Sequence, residues 1–201
     1  MERGLLIFIK NPQLGKAKTR LAASIGKEKA LEVYKELLNH TRKVVTEVDA
    51  RRMVFYNSFI DKEDQWTSDL FEKQLQTGLD LGDRMKNGFE EGFKKAAPLI
   101  IIGSDCAQLS PEIIEKAFEK LKDYDFVIGP AEDGGYYLLG MNSFQPFVFE
   151  QINWSTEKVA EQTRQRILSL GMTVAEVDTL SDVDELEDLE KVEWLKSAIG
   201  R

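Results

Sequence analysis

Leu99-Ile100-Ile101-Ile102-Gly103-Ser104-Asp105-Cys106-Ala107-Gln108-Leu109 puts four large apolar residues directly before a glycine, a hydroxyl and a carboxylate. An apolar run without polar alternation predicts a strand buried on both faces, as at the centre of a parallel sheet covered by helices. Pro98 closes the preceding segment. Ser110-Pro111 then supplies an N-cap and a first-turn proline for a helix through Leu121.

The same strand-loop-helix pattern recurs on both sides. Leu5 to Ile9 predicts a first buried strand, followed by a loop through Asn11, Pro12 and Gly15 and a short helix from Lys18 to Gly26. Ala30, Tyr34, Leu37, Leu38, Thr41, Val44, Val45 and Val48 follow at helical spacing and predict a long amphipathic helix. Met53 to Tyr56 reads as a second strand, Asp61 to Gln74 as a polar surface helix, and Gly78 to Gly82 as a loop. Leu81, Met85, Phe89 and Phe93, at spacings of four, predict a helix into Lys95. Strands Phe126–Gly129 and Tyr136–Leu139 flank Asp133-Gly134-Gly135. A helix from Thr156 to Gly171, a strand over Thr173–Val177 and a helix over Glu185–Ile199 complete the chain. This alternation predicts an α/β fold, a three-layer α/β/α sandwich around a mostly parallel mixed sheet. No linker, repeat or low-complexity tract interrupts residues 1–201, so one domain is expected.

Composition excludes several classes of function. The net charge of −8 repels nucleic acid, which is not expected as a partner. No apolar run approaches the roughly 20 residues of a membrane span, and Lys10 interrupts the apolar run that begins at Leu5, so neither membrane insertion nor export is expected. A cytoplasmic location follows. One cysteine, Cys106, excludes an intrachain disulfide and a cysteine-rich zinc site, and one histidine, His40, makes His-rich metal binding or a conventional Ser-His-Asp triad hard to build. His40 shares the periodic face of its helix with Leu37 and Val44 and reads as structural, and Cys106 as a small packing residue. Any catalysis rests on carboxylates, lysines, arginines and metal. The oligomeric state is open, with a homodimer one candidate.

Between the first strand and helix, Lys10, Lys16, Lys18 and Arg20 put four basic residues in eleven positions. Strand-helix corners offer free N–H groups and the positive end of a helix dipole, so this loop is a candidate phosphate site, with a solvated basic turn as the alternative. Arg20 adds a planar fork for phosphate oxygens. The loop lacks the glycine frame of a Walker A motif. After the central strand, Asp105 stands where open α/β sheets bind ligands and is a candidate ligand of Mg²⁺ or Mn²⁺, unless it only caps a turn. Asp133-Gly134-Gly135 is a strong hairpin signal that also lets a ligand approach the backbone.

These motifs, in this order, resemble the nucleotide-diphospho-sugar transferase superfamily with its GT-A, Rossmann-like fold. They are most similar to the radical-SAM/selenodomain-associated glycosyltransferase-like family, and the Gly15-x-x-Lys18-Thr19-Arg20-Leu21 entrance also resembles phospholactate guanylyltransferase. Gly103-Ser104-Asp105-Cys106-Ala107-x-Leu109 resembles a motif with proline where Ala107 stands. Pro130-x-x-Asp133-Gly134-Gly135-Tyr136 and Leu81-Gly82-x-Arg84-Met85 match further motifs, and Ser181-Asp182-Val183-Asp184-Glu185 resembles a segment near the superfamily's C-terminus. The resemblance implies a metal-dependent transferase. Lys10, Gly15, Lys16, Lys18, Thr19, Arg20, Gly82, Arg84 and Ser104 would bind nucleotide or phosphate. Gly134, Gly135, Tyr136 and Trp154 would face substrate, Asp105 and Asp184 would hold Mg²⁺ or Mn²⁺, and Arg20, Asp105 and Asp133 would serve catalysis. The partners implied are a nucleotide or nucleotide-sugar and a small-molecule acceptor. Glycosyl transfer, nucleotidyl transfer with release of pyrophosphate, and a catalytically silent nucleotide-binding protein all fit these residues.

Overall fold

A computed structural model describes residues 2–200. Seven strands form one sheet in the order β3-β2-β1-β4-β6-β5-β7: Gly4–Ile9 (β1), Arg51–Tyr56 (β2), Glu72–Leu75 (β3), Leu99–Ile102 (β4), Phe126–Pro130 (β5), Tyr136–Met141 (β6) and Val174–Glu176 (β7). β4 occupies the middle position. Only β6 runs antiparallel, between β4 and β5. The C-terminal ends of the other six strands therefore share an edge with the start of β6.

Helices cover both faces, which is why the central strands are apolar throughout. Leu5, Ile7, Ile100 and Ile102 point into one core with Tyr34, Leu38 and Val45 of the long helix Lys27–Glu47 (α2) and Ile114 of Pro111–Lys120 (α4). Leu6, Leu99 and Ile101, one residue out of step, point into the other with Met85 and Phe89 of Leu81–Phe93 (α3) and Ile167 of Val159–Ser169 (α5). A third cluster seats Thr19–Ile25 (α1), Leu186–Glu190 (α6) and Glu193–Ala198 (α7) against α2 through Leu21, Leu37, Leu189 and Leu195. No helix among the described residues is long and apolar enough to cross a membrane.

Three segments depart from the sequence expectation. Asp61–Gln74 is not a helix: it is a run of turns that delivers edge strand β3 parallel to β2. Trp66 and Phe71 are buried in edge-to-face contact 5.0 Å apart. Asp64 accepts from its own chain at Trp66 N (3.0 Å), and from Tyr56 Oη and Lys73 Nζ (2.7 Å each). Such Asx bonding competes with helix formation. The expected Glu185–Ile199 helix breaks into α6 and α7 at Val192, whose ψ of 88° is not helical. The break lets Leu189 and Leu195 both reach α1 and α2. Finally, α5 starts at Val159 rather than Thr156, with Lys158 before it outside the helical range (φ −107°, ψ 0°).

Candidate active site

The strand register aligns the chain exits. Ile7 lies opposite Ile102 and Ile9 opposite Tyr56, so Lys10, Asn57 and the Gly103-Ser104-Asp105 corner leave the sheet at adjacent points of one edge. Three polar side chains fix these exits. Tyr34 Oη accepts from Lys10 N (2.8 Å), donates to the Lys10 carbonyl (3.0 Å) and lies 3.2 Å from Ser104 Oγ. Buried Asn11 accepts from Ser58 N and Phe59 N at 3.2 and 3.3 Å and donates to the Phe59 carbonyl at 2.9 Å. Gln76 donates to the carbonyls of Ile9 and Phe55. Tyr34 reads in sequence only as a core residue of an amphipathic helix, and Asn11 only as part of a loop.

Lys18 is the centre of the site's charge. It is the residue before α1, in the left-handed region (φ 50°, ψ 49°), a conformation about 1 kcal/mol unfavourable for a residue with a Cβ. Its side chain is 3% exposed, and its ammonium lies 2.7 Å from Asp105 Oδ1 and 3.0 Å from Asp184 Oδ1. Burial alone would depress the ammonium's pKa, but the two carboxylates outweigh it and hold the pKa above the ordinary lysine value. Asp184 mirrors this: burial works against its charge, Lys18 and Arg20 overcome that, and its pKa falls below the carboxylate norm. Arg20, largely exposed, binds Asp184 Oδ2 and approaches Glu185 Oε1 at 3.5 Å. The Asp184 and Glu185 backbone is set by Asp188, whose Oδ2 accepts from both N–H groups at 3.1 and 2.9 Å.

A cleft of about 690 Å³ opens along this edge, within the range of small-ligand sites. Arg20 and Asp105 both line it, as do Lys10, Arg84, Ser104, Asp133, Gly135, Tyr136 and Trp154. Gly15 and Lys16 on the loop, and Thr19 at the start of α1, do not line it. Lys18, Gly82, Gly134 and Asp184 do not line it either, although Asp184 is a third exposed and bound by Arg20. For Lys18 this departs from the sequence expectation of a cation free to grip phosphate: its ammonium is paired with Asp105 and Asp184. Gly134 and Gly82 serve packing. A Cβ on Gly134 (φ 86°) would lie 1.9 Å from the Glu157 carbonyl oxygen, and one on Gly82 would lie 2.3 Å from the Trp154 indole. Asp133 Oδ1 accepts from Gly135 N at 2.9 Å, closing the turn of the β5–β6 hairpin.

Asp182 also lines the cleft, although the sequence favours only Asp184 in this segment. Burial and the neighbouring charge of Asp105 push its pKa up to about 7. Cys106, buried beside it, has its thiol pushed up to about 12 by burial, which keeps it protonated and unreactive. His40 stays outside the site, 2.9 Å from the Leu109 carbonyl and stacked on Trp194 at 5.1 Å.

Among the described residues no group of three or more His, Cys, Asp or Glu side chains is arranged as a metal cage. Two carboxylates meeting at one cation position suit an ion that takes its remaining ligands from phosphate and water, the habit of Mg²⁺. Asp105 Oδ1 supports this fit. It is buried, and the Lys18 approach lies outside hydrogen-bond geometry, so the oxygen receives charge but no directed hydrogen bond.

Residues 40–156 match the family described as an uncharacterized protein conserved in bacteria (DUF2064). No curated protein matches the sequence. Among solved structures, a protein of Desulfovibrio desulfuricans G20, provisionally named a nucleotide-diphospho-sugar transferase, is 31% identical with a TM-score of 0.87, over 94% of this chain and 85% of that one. The inositol-1-phosphate CTP transferase of T. maritima shares the fold at 15% identity and a TM-score of 0.61, over 100% of this chain and 97% of that one. Rv0371c of Mycobacterium tuberculosis H37Rv, solved as a manganese complex, shares it at 10% identity and a TM-score of 0.58, over 95% and 97%. The chain belongs to the DUF2064 family, within the nucleotide-diphospho-sugar transferase superfamily.

Proposed function

We propose that residues 1–201 form one transferase domain that binds a nucleotide-sugar with Mg²⁺ or Mn²⁺ and passes a glycosyl or related group to a small-molecule acceptor. The observation that carries this reading is the convergence of Asp105 and Asp184 on one cation position at the edge of the cleft, with Arg20 beside them. The name of the 31%-identical relative and the manganese held by the M. tuberculosis protein support it.

A divalent ion held by Asp105 and Asp184 would neutralise phosphate oxygens as the leaving diphosphate gains charge. The chain's own groups do the rest. Lys10 and Arg20 line the cleft and supply positive charge for phosphates, while Tyr34 fixes the loop that carries Lys10. Phosphate chemistry of this kind depends on positioning and electrostatics, so the site needs no histidine base. Nucleotidyl transfer is the second reading. The presence of Lys10, Arg20 and Arg84 in the cleft favours it, because three cations suit a triphosphate.

The test is a calorimetric titration of nucleoside di- and triphosphates with and without Mn²⁺, followed by assays of product release. Release of nucleoside diphosphate from a nucleotide-sugar supports glycosyl transfer, and pyrophosphate from a triphosphate supports nucleotidyl transfer. Metal-dependent binding with neither product across a broad panel points to a silent binding protein. Absence of nucleotide binding refutes all three.

A further inference from the structure

The geometry points to a sugar-binding subsite on the segment between Gln151 and Glu157, with the Trp154 indole as its platform. This rests on the nucleotide reading above and adds the ligand chemistry of a second group of residues lining the same cleft.

Two left-handed residues, Gln151 (φ 61°) and Ser155 (φ 63°), flank Trp154. Each such residue costs roughly 1 kcal/mol, so surrounding contacts must hold the segment in place. Those contacts are visible at both ends. The indole rests on Gly82 at the start of α3, where a Cβ would come within 2.3 Å of Nε1 and Cε2. Downstream, the Glu157 carbonyl fills the space a Gly134 side chain would take, and Ala160 N donates to the Gly134 carbonyl at 2.9 Å. Both glycines belong to motifs singled out in the sequence, and both make room for this one segment. The result is a large aromatic ring backed by a helix, half-buried, and still lining the cleft.

The polar groups beside it define the ligand. Asp133 and Glu157 line the same cleft, with the Ser155 and Thr156 residues between. Glu157 has no ion-pair partner among the described residues. Carboxylates repel phosphate and accept hydrogen bonds from hydroxyls. A supported aromatic ring covers apolar C–H surface. A neutral polyhydroxylated ring satisfies both, and an anionic group satisfies neither. The phosphates belong instead with Lys10 and Arg20. The sugar can be the one carried by the nucleotide or one bound separately as acceptor.

Calorimetry in Mn²⁺ separates these sources. One arm compares UDP and GDP with their glucose, mannose and N-acetylglucosamine conjugates; the other titrates the methyl glycosides into protein saturated with the nucleoside diphosphate. The expected result is a gain of about fivefold from the sugar in one arm, of the size one aromatic contact supplies. Trp154→Ala should remove that gain and leave the affinity for the bare diphosphate unchanged. Trp154→Phe should retain part of it, and a wild-type melting temperature in both variants excludes unfolding as the cause. Diphosphate binding with no Trp154-dependent sugar gain in either arm, or an equal loss for bare diphosphate and conjugate in Trp154→Ala, overturns the subsite alone. Failure of every diphosphate to bind overturns the nucleotide reading and the subsite together.

Discussion

Lys18→Met removes an ammonium from between two carboxylates while keeping most of the side-chain volume. At an effective dielectric of about 20, contacts of this length are each worth roughly 6 kcal/mol of gross attraction. Desolvation of the ammonium and repulsion between the carboxylates offset much of that. Removing one member of a buried ion pair typically costs about 3–5 kcal/mol. Asp105 and Asp184 are 26% and 33% exposed, and Arg20 still contacts Asp184, so the low end applies. A loss of about 3 kcal/mol lowers the melting temperature of a chain this size by roughly 6–12 °C. Scanning calorimetry at neutral pH, with and without Mn²⁺, measures it. Mn²⁺ should stabilise the variant more than the wild type, since it replaces the missing charge and binds only the folded site. A melting temperature within about 2 °C of wild type without metal, the range of an ordinary surface change, would refute the ion-pair argument. Lys18 would then be a phosphate ligand, and the loss should appear in nucleotide affinity instead.

Asp105→Asn keeps the shape of the side chain and removes its charge. Mn²⁺-dependent nucleotide binding should vanish in calorimetry, and its survival would place the metal elsewhere. Gly134→Ala puts a Cβ 1.9 Å from a carbonyl oxygen at a left-handed position, which should cost about 2–4 kcal/mol and lower the melting temperature. An unchanged melting temperature would show that the hairpin and the Glu157 segment are not in contact. His40 is the sole histidine, and burial depresses its pKa. The unfolded chain therefore binds this proton more readily, so stability rises with pH up to about 6.5 and falls as pH drops below it. In His40→Gln that slope should flatten, and an identical stability-pH profile in the variant rules the histidine out as its source.

The central strands were legible because both faces of the sheet are covered, so Leu5–Ile9 and Leu99–Ile102 carry no polar residue. The β5–β6 hairpin was legible because Asp133-Gly134 between two apolar runs has few other uses. Asp61–Gln74 was not, because β3 is an edge strand of four residues in which only the register with β2 and the buried Trp66 and Phe71 oppose a helix. Local propensity carries none of that. The break between α6 and α7 was hidden for the same reason: it lets α6 pack on α1 and α7 on α2 within one cluster, a tertiary demand.

The basic loop shows most clearly where residue chemistry alone falls short. Lys10, Lys16, Lys18 and Arg20 form one basic cluster in sequence, yet the fold separates them into a resident cation, two cleft cations and an exterior lysine. The reason lies in the site's own charge. Two carboxylates aimed at one point repel each other unless a cation stands between them, and Lys18 is built into the backbone at the one place that supplies it. A divalent ion entering that position must compete with the ammonium, which phosphates can draw away when they arrive. Mn²⁺ should therefore bind weakly alone and much more tightly with a nucleoside diphosphate present, and the same coupling must appear in the diphosphate's affinity. Lys18→Met removes the competitor, so the coupling measured by calorimetry should shrink. Equal Mn²⁺ affinity with and without nucleotide in the wild type would show that the ammonium does not contest the metal's place.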